Sequence, residues 1–151
     1  MPSLEKMPLL LVEDSEDDLF FFKRLCKKAG VTNPLAVATD GQQAVTLLTE
    51  GVNGRQPIPQ LIFLDLKLPL RSGFEVLEWL RTQAVLARTT VVVLSSSAEA
   101  RDVERAYQLG AQGYLVKYPE VPVLLGVVQQ VAELPPSAGL DTLSLPGLVR
   151  P

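Results

Sequence analysis

LIFLDLKLPLRSG, residues 61–73, contains an apolar run that ends in a carboxylate and is then broken by Pro69 and Gly73. Leu61–Leu64 shows no polar alternation, which is the pattern of a strand buried on both faces. Such strands belong to parallel sheets covered by helices, and the rest of the chain supplies the other parts. Leu9–Val12 runs into Glu13 and Asp14, Leu35–Ala38 into Asp40–Gly41, Thr90–Ser95 ends in a hydroxyl, and residues 113–117 end in Lys117. Helix-length amphipathic segments separate these runs. The first, Glu16–Ala29, has acids in its first turn, Lys27 and Lys28 in its last, and Gly30 as a stop. Others span about 42–48, 74–81, 98–109 and Val121–Glu133. The alternation predicts an α/β fold: a doubly wound, five-stranded parallel sheet with five helices and right-handed crossovers.

The 151 residues, 47% of them hydrophobic, suffice for one core. The expected division is an N-terminal extension (1–7), a folded domain (8–133), and a Pro/Gly/Leu-rich C-terminal tail (134–151) too short to fold alone. A net charge of −3, without any Lys/Arg-rich run, argues against nucleic acid and anionic membrane as partners. The apolar run at residues 8–12 is too short for a signal peptide or a membrane span, so a cytoplasmic location is expected. Cys26 lies at helical spacing with Leu19, Phe22 and Ala29 and reads as a core thiol. The chain has no histidine, which excludes His-based metal sites, Ser-His and Cys-His catalysis, and an internal phosphohistidine.

In an open doubly wound sheet, ligands bind beyond the carboxyl ends of the strands. Glu13, Asp14, Asp65, Ser95 and Lys117 all terminate apolar strands, so they should converge there. Three carboxylates at one edge suit a hard divalent cation such as Mg²⁺. Lys117 adds a point charge for a phosphate oxygen, and Ser95 a hydroxyl. A carboxylate, a metal and a lysine together support phosphoryl transfer onto the carboxylate. Glu16, Asp17 and Asp18 read as solvated helix charges, and Ser97 as a helix cap.

With Pro69 and Gly73 four and eight residues after Asp65, and Ser95, Tyr114 and Lys117 at 30, 49 and 52, the chain resembles the receiver domain of two-component response regulators. The resemblance spans about residues 8–133 and implies the flavodoxin-like, CheY-like strand order 2-1-3-4-5. It implies that Asp65 is the phosphoacceptor. Asp14, Asp65 and the main-chain carbonyl of Lys67 would ligate Mg²⁺, or Mn²⁺ in its place, with Glu13 acting through a water. Lys117 and Ser95 would bind the phosphoryl group, and Tyr114 would rotate inward as Ser95 moves. The signal would leave through the surface of the fourth helix, fifth strand and fifth helix. The implied partner is a histidine kinase, and the long loop at 51–60 with the Asp-Ser-x-x-Asp pattern resembles stand-alone receivers serving phytochrome-type kinases.

Most receivers carry proline directly after the lysine, whereas here Tyr118 precedes Pro119. The last helix is apolar on more than one face, and Val123, Leu124 and Val127 are expected at a homodimer or partner interface that the tail leucines extend, the alternative being a helix buried under that tail. Two rival functions share the fold or the metal chemistry. One is a docking module that works without phosphorylation. The other is an aspartyl-intermediate phosphatase resembling the haloacid dehalogenase-like family, but Lys67 stands where those enzymes need a second Asp. No external substrate turnover is therefore expected.

Overall fold

In a computed structural model that describes residues 7–134 and 143–151, the chain folds into five parallel strands in the order β2-β1-β3-β4-β5. The strands are β1 (Leu9–Val12), β2 (Leu35–Ala38), β3 (Leu61–Leu64), β4 (Thr90–Ser95) and β5 (Gly113–Val116). The helices are α1 (Glu16–Ala29), α2 (Gly41–Val52), α3 (Gly73–Arg81), α4 (Ala100–Gln108) and α5 (Val121–Glu133). Val12 pairs with both Ala38 and Leu64, and Leu64 pairs with Val93, so the carboxyl ends of the strands lie in register along one edge.

Successive strand residues face opposite sides of the sheet. Leu10, Val12, Ile62, Leu64, Val91 and Val93 pack with Ala44, Leu48, Val76, Leu77 and Leu80 on one side. Leu9, Leu11, Leu61, Phe63, Val92 and Leu94 pack on the other with Phe22, Cys26, Leu124 and Val127. Cys26 is buried as expected, and burial pushes its thiol up to about 11. No helix among the described residues is long and apolar enough to cross a membrane.

Three helix ends follow from local chemistry. Ser15 caps α1, and Gly30 ends it in the left-handed conformation at φ 74°. Ser72 and Glu75 form a reciprocal capping box on α3. The expected Ser97 cap is corrected: α4 begins at Ala100, with Glu99 at the cap position. Ser97 instead accepts from the Glu99 N–H at 3.2 Å and donates to Asp102 at 2.7 Å, which tightens the loop before the helix.

Residues 1–6 of the expected extension and 135–142 of the expected tail, Leu140 included, lie outside the described residues. Met7 is already part of the core. Residues 143–151 run along β5 and α5. The N–H of Leu143 donates to the Gln112 carbonyl at 2.9 Å, and that of Val149 to the Tyr114 carbonyl at 2.7 Å. Tyr107 donates its hydroxyl hydrogen to the Val149 carbonyl at 2.5 Å. Leu148 fits over Gly113, Leu145 over Gly126, and Gly147 sits against Val123.

This packing corrects the reading of α5 as an open interface. Leu124 and Val127 have no exposed surface, and Val123 is half-buried under the tail. The second apolar face of the helix is covered by the chain's own residues.

Leu143 is buried, so Leu143→Ala should cost about 2–3 kcal/mol in urea denaturation. Leu145→Ala, at a half-buried position, should cost clearly less, and equal small effects would mean that the segment is not packed in solution. Leu70 holds φ 68° while 79% exposed, a conformation that penalises a Cβ by about 1–2 kcal/mol. Leu70→Gly should therefore raise the stability by up to about 1 kcal/mol once the glycine's chain entropy is offset.

Candidate functional site

The strand ends carry Glu13 and Asp14 after β1, Asp65 after β3, Ser95 in β4 and Lys117 after β5 to the same edge. The N–H of Glu13 donates to Ala38 at 2.9 Å, and that of Asp65 to Val12 at 3.1 Å. Both carboxylates are thus fixed by sheet hydrogen bonds at their own backbone. Gly73 is required behind Asp65. A Cβ there would lie 2.2 Å from the Asp65 carbonyl oxygen and 2.7 Å from Leu66 Cα. Its N–H donates to the Leu66 carbonyl at 2.9 Å, closing the loop over the end of β3.

Glu13, Asp14 and Asp65 each offer a ligand oxygen, and these oxygens lie within 4.8 Å of one another. Glu13 and Asp65 are buried, while Asp14 is exposed. Such a set of hard oxygen donors, one of them open to solvent, fits a divalent cation that keeps part of its water shell. Lys67 is exposed at the rim, and its N–H donates to Asp65 Oδ1 at 3.3 Å. Its carbonyl therefore belongs to the backbone that wraps this carboxylate.

Lys117 is the cation of the site. Its Nζ lies 2.6 Å from Glu13 Oε1, 2.9 Å from Asp18 Oδ2 and 3.0 Å from Asp65 Oδ2, and its side chain is 8% exposed. Burial alone would lower the ammonium's pKa, but the three carboxylates outweigh it and hold the value above the ordinary lysine range. Glu13 is held above the usual carboxylate range, chiefly by burial and despite the bonds it accepts from Lys117 and the Ser15 N–H.

Asp18 departs from the sequence reading. Glu16 and Asp17 are exposed first-turn acids as expected, but Asp18 turns to Lys117, 99 residues away. Nothing local marks it, because an acid in a first turn is ordinary.

Ser95 is fully buried, and its Oγ accepts from the Ser97 N–H at 3.1 Å. Tyr114 is also fully buried, its hydroxyl donating to the Ser97 carbonyl at 2.8 Å. The ring expected to turn inward already lies inward here, with Val149 of the tail packed against the same cluster. Burial raises the pKa of the Tyr114 phenol. The peptide bond between Lys117 and Tyr118 is cis.

The sequence matches the response regulator receiver domain family over residues 9–129. It is 35% identical to the response regulator Rcp1 of Synechocystis sp. over 139 residues, covering 91% of this chain and 92% of that protein. The Mn²⁺-bound form of Rcp1 superposes with a TM-score of 0.68 at 34% identity, over 93% of this chain and 99% of the other. The bacteriophytochrome response regulator AtBRR superposes with a TM-score of 0.73 at 32% identity, over 94% and 99%. The phosphorylated cyanobacterial phytochrome response regulator RcpA gives 0.68 at 32% identity, over 85% and 92%. Strand order, strand-end chemistry and family match coincide: the chain belongs to the response regulator receiver domain family.

Proposed function

We propose that this receiver accepts a phosphoryl group on Asp65 from a histidine kinase of the phytochrome type, in a reaction that requires Mg²⁺. The observation that carries the reading is the buried Lys117 ammonium shared between Glu13 and Asp65, beside a three-carboxylate cluster that suits a hard cation. Similarity to a phosphorylated receiver and to a Mn²⁺-bound one supports it. Asp14, Asp65 and the Lys67 carbonyl would hold the cation directly, and Glu13 through water. The bound cation would neutralise charge that otherwise repels the donor's phosphoryl oxygens.

An Asp65 carboxylate oxygen attacks phosphorus, and the phosphorus–nitrogen bond of the donor phosphohistidine breaks, leaving the imidazole to take up a proton. Lys117 then pairs with a phosphoryl oxygen, and the Ser95 hydroxyl donates to another. Ser95, Ser97 and Tyr114 are linked at the end of β4, so a shift of Ser95 reaches Tyr114 through the Ser97 backbone. The output face is α4-β5-α5. The chain acts as a signalling protein in the cytoplasm and turns over no external substrate.

Intact mass after incubation with acetyl phosphate tests the chemistry. One phosphoryl adduct should appear with Mg²⁺, and it should vanish with chelator or in Asp65→Asn. A folded protein without adduct would instead favour a docking module that keeps the fold and dispenses with phosphorylation.

A homodimer through α4-β5-α5 would compete with residues 143–151 for the same face. Light scattering at micromolar concentration should therefore show more dimer when Leu148→Asp loosens the tail. An unchanged monomer in that variant, with and without fluoroberyllate, would count against pairing through this face.

A further inference from the structure

We propose that Asp18 is a positioning residue for phosphoryl transfer at Asp65, the fixed tether that keeps Lys117 in place while that lysine's other partners change. The inference rests on the receiver chemistry proposed above and adds a residue to it.

An ammonium has three N–H donors, and here each faces a different carboxylate, Glu13, Asp18 and Asp65. The three acceptors are not equivalent. Glu13 and Asp65 belong to the cluster suited to a cation, so any ion bound there draws on the same two carboxylates as Lys117. The Asp65 carboxylate also loses its own negative charge when one of its oxygens bonds to phosphorus as an acyl phosphate. Asp18 lies outside the cluster, so its claim on Lys117 is the same in the free, cation-bound and phosphorylated states.

Asp18 is itself firmly placed. Its N–H donates to the Ser15 side chain at 3.2 Å, the cap of α1, and the Ser15 N–H donates to Glu13 Oε2 at 3.1 Å. The strand end and the first turn of the helix are thus one hydrogen-bonded unit. One turn further, Phe21 packs against Tyr118, with ring centroids 5.7 Å apart, so α1 grips both Lys117 and the residue after it. A lysine has a long flexible stem, and losing a fixed partner would let its ammonium wander among the remaining acceptors.

Charge alone predicts the opposite effect. Asp18 adds a negative charge near the incoming phosphoryl group, and its removal should then speed transfer. A tether predicts slower transfer, so the sign of the change decides.

The test compares wild type, Asp18→Asn and Asp18→Glu by intact mass during phosphorylation with acetyl phosphate and Mg²⁺. Mn²⁺ affinity by electron paramagnetic resonance and the ¹⁹F spectrum of the fluoroberyllate adduct give readouts besides the rate. Displacing a catalytic group by about 1 Å costs on the order of 100-fold, and a loosened one should cost about tenfold. Asp18→Asn should phosphorylate about tenfold more slowly, with Mn²⁺ affinity within about threefold of wild type and shifted or broadened ¹⁹F lines. Asp18→Glu should recover most of the rate and the wild-type spectrum. An equal or faster rate in Asp18→Asn would overturn the tether while leaving Asp65 as the acceptor. A loss as large in Asp18→Glu, or a loss of Mn²⁺ binding in Asp18→Asn, would reveal a structural role and overturn it too. Wild type that takes no phosphoryl group would sink this proposal and the functional reading together.

Discussion

Like charges gathered at one end of a sheet are the constraint on which the rest of this structure depends. Glu13, Asp18 and Asp65 surround a single ammonium, that of Lys117, and Asp14 stands beside Glu13 and Asp65 in the same cluster. Two unit charges 4 Å apart repel by roughly 4 kcal/mol at a near-surface effective dielectric of about 20. Left to themselves these side chains would turn outward to water. Glu13 and Asp65 do not, because each follows a strand whose residues are all buried. The apolar layers fix the strands in register, and the register forces the acids together. Lys117 then offsets part of the repulsion, which explains why a lysine is nearly buried without losing its charge.

The layers were legible in the sequence for the same reason. Apolar runs as continuous as Leu61–Leu64 and Thr90–Ser95 leave a strand little alternative, and the structure puts both where the pattern predicts. Helix ends were harder. Residues 42–48 were the expected extent of α2, yet the helix runs Gly41–Val52. Gly51, the first residue of the expected 51–60 loop, lies inside the helix against Ile58, where a Cβ would come within 3.3 Å, so packing outweighs its poor propensity. Asp65, Asp14 and Lys117 were visible because a charge after a buried strand is unusual. Asp18 was not, since the feature that distinguishes it is a partner on another element. Arg81 escaped notice likewise. It donates to Gly110, Thr89 and Gln112, and burial lowers its pKa to about 10. These partners are supplied by the topology and have no local signature.

The tail shows the converse case, in which a sequence feature was visible but left two partners open, a second chain or the chain's own tail. The excess of apolar surface on α5 is real, but Leu143, Leu145 and Leu148 of the same chain cover it. The tail also takes the main-chain carbonyls of Gln112, just before β5, and of Tyr114 within it, along a strand whose outer side would otherwise be an open sheet edge. One of them is the carbonyl of Tyr114, whose side chain is bonded to the loop after β4. The edge strand thus connects the polar end of the sheet to the outer face through a single residue.

That connection bears on how the effect of a charge added at Asp65, as proposed above, would reach the outer face. One ammonium against four carboxylates leaves an excess of negative charge, and a divalent cation at Glu13, Asp14 and Asp65 reduces it. A phosphoryl group on Asp65, as proposed above, would bring the negative charge back, and cation binding and phosphorylation would then favour each other by reciprocal linkage. A bistable response further requires that some groups move while others stay. The buried strands and the capped start of α1 are built to stay. Ser95, Tyr114 and the edge covered by residues 143–151 are joined by single hydrogen bonds and side-chain packing, which can be exchanged without breaking the sheet. The division between a rigid charged corner and an exchangeable edge is therefore set by where the apolar runs end.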